Sequence, residues 1–455
     1  MLVKRLERLG QDHIARQLSS EDNPLLMERI ATDLEGVDID LVERLIRGEA
    51  LYEPPQGDVE PADVIPAAFA SSKEAFVYIR RGRELLRSGK VAALVVAGGQ
   101  GSRLGIDAPK GVVGVTPVKG KSLFGLFAEK ILALEHKFQC KVPWFIMTSR
   151  KNDGSTQEYF RDNAYFGLNQ DRVYFFVQGM LPSVTEEGKF IIGEDGGLLM
   201  NPDGHGGTFN ALQTSGSLSL MKDLGIDEIF YFQVDNPLAK VCDPLFLGLH
   251  NLSGAQMSSK VVRKSTYEEK VGVITRINNK TTLVEYTDMS DEVRYAKGSD
   301  GEMLHWTGNL AIHMIRRSFA EEITAQGTKL PFHPARKMII AQGPDHKPME
   351  TLGIKFEAFL FDALPMADQS ITLEVMREEE FAPVKNLTGA DSLESSRLLQ
   401  SALHTSWLKR LGVDVDPGIS VEISPLFALD YEDLLAKASI LPRHIGINTF
   451  LGDSV

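Results

Sequence analysis

At 455 residues the chain is longer than one hydrophobic core ordinarily organises and suits roughly two or three domains. Its 43% hydrophobic and 24% charged residues are those of a globular protein. A net charge of −13 disfavours a general binder of nucleic acid or anionic membrane, while leaving room for a local basic site that takes a small polyanion. Along the chain, "MLVKRLERLGQDHIARQL" has the Leu2, Leu6, Leu9 spacing of an amphipathic helix without the apolar core of a signal peptide, and Glu7 and Asp12 argue against a transit peptide. Asn23-Pro24 forms an N-cap and N1 pair before "LLMERIATDL". "GDVEPADVIPAA" reads as a proline-punctuated connector. Ser71 with Glu74 forms a capping box before "AFVYIRRGRELLRSGK", which Gly89 ends.

From Val91 the pattern changes. "VAALVVA", "PWFIMTS", "RVYFFVQ" and "EIFYFQVD" are short apolar runs of the kind that form buried parallel strands. Helix-like segments, "SLFGLFAEKILALEHKF" and "TFNALQTSGSLSLMKDL", lie between them, and the alternation predicts a doubly wound α/β sheet. After Asn251 strand-rich segments, "KVVRK", "VGVITRI", "TTLVEYT" and "WTGNLAIHMI", predict an antiparallel or mixed extension, and "GIKFEAFLFDAL" and "ITLEVM" add strands. Beyond Asn386 a helical stretch, "DSLESSRLLQSALHTSWLKRLG", precedes a short mixed tail. The expected organisation is a helical N-terminal region over 1–88, a catalytic α/β domain with a mixed, mainly parallel sheet over 89–388, and a small α+β C-terminal domain over 389–455. Two isolated cysteines, Cys140 and Cys242, make neither a disulfide framework nor a zinc site and point to a reducing cytoplasm. No apolar run approaches a membrane span.

"AGGQGSRLGIDAPKG" is the stretch richest in chemistry. As a dinucleotide fingerprint it fails, because Leu104 stands where the third glycine belongs and the next strand ends in hydroxyl and basic residues. As a P-loop it fails too, since Pro109 precedes Lys110 and no Ser or Thr follows it to hold magnesium. A glycine turn carrying two cations, Arg103 and Lys110, remains, and its alternative is a tight strand-to-helix turn with two solvated basic residues.

The same stretch resembles the signature loop of sugar-1-phosphate nucleotidyltransferases, and more narrowly the eukaryotic-type UDP-N-acetylhexosamine pyrophosphorylases within the wider UDP-sugar pyrophosphorylase family. "FVQGMLP", "NPDGHGGTFNAL", "VDNPLAKVCDPLFLG", "TGNLAIH" and "MREEEFAPVKN" have counterparts in the same order, and the resemblance runs from about Val91 to Leu426. It implies a nucleotide-diphospho-sugar transferase fold of GT-A type. The activity it implies is uridylyl transfer from UTP to N-acetylglucosamine 1-phosphate or its galacto epimer, giving the UDP-sugar and pyrophosphate. In-line displacement at the α-phosphate needs cations, amides and a magnesium ion rather than a protein nucleophile.

By the resemblance, Gly98, Gly99 and Gly101 form the nucleotide-binding turn, and Arg103 and Lys110 are phosphate-binding cations. Gln178 reads uracil and Gly204 meets the uridine through its backbone. Asp235, at a strand C-terminus, is the magnesium ligand. Gly272, Glu285 and Asn309 line the sugar pocket, and "GIKFEAFLFD" brings Lys355 with Phe359 and Phe361 as apolar walls. Lys385 is the second phosphate lysine. His205 departs from the pattern: N-acetylhexosamine enzymes generally carry Asn there and glucose-type enzymes a "GHG". A UTP–glucose-1-phosphate uridylyltransferase or a broad UDP-sugar pyrophosphorylase is therefore the alternative. A non-catalytic nucleotide-sugar sensor on the same fold is a reading from another class, opposed by the presence of Arg103, Lys110, Asp235 and Lys385. With no hexapeptide ladder for a β-helix, the enzyme is expected to be monofunctional, a monomer or weak homo-oligomer, with no nucleic-acid or membrane partner.

Overall fold

The computed structural model describes residues 2–19, 24–325, 327, 329–343 and 347–452. Two compact units emerge, each assembled from several stretches of chain: Met1–Pro55 with Gln178–Ala211 and Ile323–Asp362, and Gln56–Val177 with Leu212–Glu322 and Ala363–Val455.

The larger unit is built on a mixed eleven-stranded sheet. Val91–Val96 pairs in parallel with Trp144–Thr148 on one side and Glu228–Gln233 on the other, and Val173–Val177 continues the parallel half beyond Trp144–Thr148. Thr307–Arg316 then enters antiparallel between Glu228–Gln233 and Met257–Arg263. Strands buried on both faces explain the uninterrupted apolar runs: every residue of Trp144–Thr148 is buried. The helix Leu123–Phe138, capped by the Ser122 hydroxyl on Gly125 N–H at 3.1 Å, buries Phe124 and Phe127 completely. Phe124, Trp144 and Phe160 meet edge to face with ring centroids 5.0 to 6.4 Å apart. Each such ring contributes about 2–3 kcal/mol by leaving water. Ala75–Arg87 and Pro244–Leu252 pack closely enough that a side chain on Gly82 would strike the Pro244 carbonyl, and one on Gly248 the Tyr78 carbonyl. At the C-terminal end the helix Leu393–Arg410, with a Ser392–Ser395 capping box, buries Leu403, Trp407 and Leu408 against Val413, Val421 and Ile423.

The smaller unit joins four N-terminal helices to a long hairpin, Phe332–Gln342 with Pro348–Ala358, and a short pair, Met180–Pro182 with Met200–Pro202. Gln11 ties the helices in: its amide donates to Gly188 O at 2.8 Å and its carbonyl accepts from Phe190 N–H at 2.7 Å.

Several local expectations change. The proline-rich connector contributes strands: Glu60–Pro61 pairs with Arg276 and Thr275, and Val64–Ile65 with Thr372 and Leu373. Edge positions tolerate proline because its missing N–H faces away from a partner. Glu74 is the N-cap of the following helix and makes no side-chain cap bond; the Ser72 hydroxyl accepts from Ala75 N–H at 3.1 Å, while Ser71 ends a 3-10 turn. "TFNALQTSGSLSLMKDL" is two helices, Thr208–Thr214 and Ser217–Asp223, broken by Gly216 at φ +76°. "GIKFEAFLFDAL" is strand only to Ala358 and then turns into a 3-10 segment, Leu360–Met366. Asn23 lies outside the described residues. No described helix is long and apolar enough to cross a membrane.

Candidate active site

Parallel strands share a C-terminal edge, and the larger unit gathers its candidate residues there. After Val96 the chain leaves the sheet, and Asn152 holds the exit by donating its side-chain amide to Ala97 O at 3.0 Å. The glycine turn folds back on itself. Gly101 N–H donates to Ala108 O at 2.8 Å and Lys110 N–H to Gly99 O at 3.1 Å, with a bridge between Gln100 and Pro109. Gly101 has a steric reason, since a β-carbon there would enter the Ile106 side chain, and Gly105 turns the loop at φ +75°. This return places Lys110 Nζ 3.7 Å from Asp235 Oδ2, both side chains largely buried. Asp235 follows the neighbouring strand Glu228–Gln233, and Val234 N–H donates to Val96 O at 3.1 Å.

Lys385 arrives from a distant part of the chain. Val384 N–H donates to Asp235 O at 2.8 Å, which sets the lysine loop directly on the strand end. The Lys385 side chain is 42% exposed, with its ammonium 4.0 Å from Asp391 and 5.8 Å from the centroid of Phe381. Arg103 is exposed and makes no ion pair among the described residues. The structure thus joins Lys110, Asp235 and the Lys385 loop and leaves Arg103 unattached to them.

Gly272, Glu285 and Asn309 also come together. Asn309 N–H donates to Gly272 O at 2.9 Å, and a β-carbon on Gly272 would lie 3.1 Å from Glu285 Oε1. A bulge between Asn309 and His313, with Ala311 at φ +55°, aims this end of the strand, and the Asn309 side-chain oxygen Oδ1 accepts from Ala311 N–H at 3.2 Å.

In the smaller unit the "DGHGG" loop packs against the end of the hairpin. Gln178 Nε2 donates to Gly204 O at 2.6 Å. Gly204 has φ +84° and no room for a β-carbon beside the Ala358 backbone, whose N–H donates to Asp203 O at 2.8 Å. His205 stacks on Phe359 and leans on Phe361, both centroids 5.4 Å away, so the two expected apolar walls surround it. Its Nδ1 accepts from Leu360 N–H at 3.2 Å, which leaves the proton on Nε2. Burial among the rings, with His333 adding repulsion, pushes its pKa down to about 4, so the ring is a neutral donor at physiological pH. Lys355 stands opposite Ala335 in the hairpin, and desolvation, then Lys337, lowers its pKa.

A family described as UTP–glucose-1-phosphate uridylyltransferase matches residues 61–430, which include every candidate residue above. The chain belongs to this uridylyltransferase family. Along with family membership goes a nucleotidyltransferase activity. Among relatives, the chain is 35% identical to UDP-N-acetylglucosamine diphosphorylase 1 of Arabidopsis thaliana, covering 96% of this chain and 90% of that one. It is 36% identical to UDP-N-acetylglucosamine pyrophosphorylase of Saccharomyces cerevisiae over 83% and 82% of the two. The solved uridine diphosphate N-acetylglucosamine pyrophosphorylase of Trypanosoma brucei, in complex with an inhibitor, superposes with a TM-score of 0.83 at 28% identity, covering 99% of this chain and 98% of that one.

Other residues beside the candidate residues of each unit escape sequence reading. Asp203 is buried, its carboxyl wedged against the Gly179 and Gly207 backbones with Oδ1 unpartnered, and burial raises its pKa to about 7 despite a hydrogen bond from Gln178. Its only sequence signal was an acid inside a glycine-rich loop. Asn236 and the fully buried Lys260 attach the loops around Asp235 to one another. Lys260 could have been noticed as a charge inside the strand segment "MSSKVVR"; Asn236 had no signal. His333, which pairs with Asp362 at 2.9 Å and stacks on Tyr52 at 4.0 Å, read only as a scattered histidine.

Proposed function

We propose that the protein transfers a uridylyl group from UTP to N-acetylglucosamine 1-phosphate or its galacto epimer. A phosphate oxygen of the sugar attacks the α-phosphorus, the bond from that phosphorus to the bridging oxygen breaks, and pyrophosphate leaves with the electron pair. One observation carries this reading: Lys110 and the Lys385 loop converge on Asp235 at the sheet's C-terminal edge. The two ammonium groups offset charge on phosphates that repel one another. A single strand-end carboxylate fits magnesium, which takes one or two carboxylates and fills its remaining positions with phosphate oxygens and water. Asp235 would hold it, and when bound it supplies charge neutralisation across the phosphates. Arg103 adds a second cation from the glycine turn.

Gln178 spends its two side-chain N–H groups on Gly204 O and the Asp203 carboxyl, so its carbonyl oxygen is the group left to accept the imide N–H of uracil. Gly272, Glu285 and Asn309 form the polar end that meets sugar hydroxyls and the C2 substituent, and Lys355 adds a cation. The setting we infer is a reducing cytoplasm, supported by two thiols that are free. The inferred state is a monomer or weak homo-oligomer.

His205 supports the second reading, a preference for glucose 1-phosphate. The discriminating experiment measures pyrophosphate release with UTP, magnesium and each sugar 1-phosphate. The N-acetyl sugar is expected to give the higher kcat/KM, and His205→Asn to increase that preference. A clear advantage for glucose 1-phosphate would overturn the first reading.

A further inference from the structure

The segment from Asp235 to Asp243 is irregular, yet four side chains anchor it. Lys130, from the helix Leu123–Phe138, donates to Pro237 O at 2.5 Å and Ala239 O at 2.9 Å. Lys240 pairs with Glu379 at 2.7 Å. Lys260, with no exposed surface, sits between Asp243 at 2.7 Å and Glu380 at 2.8 Å. The fourth anchor is an uncharged side chain. Asn236, 4% exposed, donates its amide to Glu380 O at 2.7 Å and accepts from Ala382 N–H at 3.0 Å.

These bonds converge on the segment "EFAPVK". Pro383 has no N–H, so the backbone donors available between Phe381 and Lys385 are those of Ala382 and Val384. Ala382 gives its N–H to the Asn236 side chain and Val384 to the Asp235 carbonyl. We propose that Asn236, seated over the buried Lys260–Glu380–Asp243 ion cluster, is a positioning residue that fixes the Lys385 loop relative to Asp235. This rests on the functional reading above, in which Lys385 and Asp235 act on the same phosphates.

Magnitudes favour positioning over bulk stability. A buried ion cluster gains little over apolar packing of the same volume, so its presence is better explained by the geometry it enforces. Displacing a phosphate-facing cation by about 1 Å costs about a hundredfold in rate. Glu380 serves both layers: its carboxylate receives Lys260 and its carbonyl receives Asn236.

The test uses the full chain carrying Asn236→Ala, Asn236→Asp and each combined with Lys385→Ala. Steady-state rates with UTP and the preferred sugar 1-phosphate are measured beside amide hydrogen exchange. Asn236→Ala is expected to lower kcat about tenfold or more while KM for UTP stays within about threefold, and to cause no further loss when Lys385 is already Ala. Exchange at the Ala382, Val384 and Lys385 amides should rise about tenfold, while the strand Val91–Val96 stays protected. Asn236→Asp, which keeps the acceptor for Ala382 and loses the donor, should fall between wild type and Ala; it answers the question if Ala misfolds. Unchanged exchange at Ala382 and Val384, or an equal fractional loss of kcat in the Lys385→Ala background, would overturn the proposal. If wild-type protein released no pyrophosphate with any sugar 1-phosphate, the functional reading would fail, and exchange alone would still decide whether Asn236 holds the loop.

Discussion

Lys110 Nζ stands 3.7 Å from Asp235 Oδ2, although the two residues are far apart in the chain. Their meeting follows from strand order: Val91–Val96 and Glu228–Gln233 are parallel neighbours, so the loops that leave them share an edge. On the functional reading proposed above, this pair is where the polyanion and the divalent ion arrive together.

Excess chelator should therefore abolish pyrophosphate release, and added magnesium should restore it. Asp235→Asn should raise the magnesium concentration needed for half-maximal rate by about tenfold or more, because the remaining donor is neutral. Full activity in chelator would remove Asp235 as a metal ligand.

Lys385→Ala should reduce kcat by about a hundredfold while changing KM for UTP by less than about threefold. Its charge is worth most as the α-phosphate reacts, and its half-exposed position in the absence of substrate gives it little to do for folding. Steady-state kinetics read the split directly. An unchanged kcat would end its assignment.

Asp203 makes a prediction about pH. Its folded pKa is raised to about 7 from an ordinary 3.8, so the folded state binds the extra proton. Stability from this group is present at low pH and is lost as pH rises from about 4 through about 7. Asp203→Asn removes that loss. Relative to wild type the variant should gain roughly 1 kcal/mol per pH unit across this window and level off above it. Urea unfolding at several pH values checks the slope, and a pH-independent difference would contradict it. His205 has the opposite sign, with stability lost as pH falls from about 6.5 through about 4, and it is common to both proteins in the comparison.

Much of the architecture was legible because buried parallel strands leave a plain trace. Four apolar runs became four neighbouring parallel strands of the sheet, and the glycine run became a tight turn after the first of them. Boundaries were less secure: proline-bearing segments paired at sheet edges, and Gly216 broke one apparent helix into two. Among the candidate residues, those with distinctive chemistry announced themselves. Asn236, Asp203 and Glu380 did not, since an amide or carboxylate becomes informative only when its burial and partners are known.

The sequence by itself determined the order of strands and helices, the glycine turn and the identities of the cations and carboxylate, because periodicity, steric need and charge are local properties. Tertiary structure decided which of them meet. It set Lys110 and the Lys385 loop on Asp235 and left Arg103 apart. It also fixed His205 as a neutral donor among aromatic rings. Strand order, desolvation and hydrogen bonds between distant segments exist only once the chain has folded, and they turn scattered residues into a site.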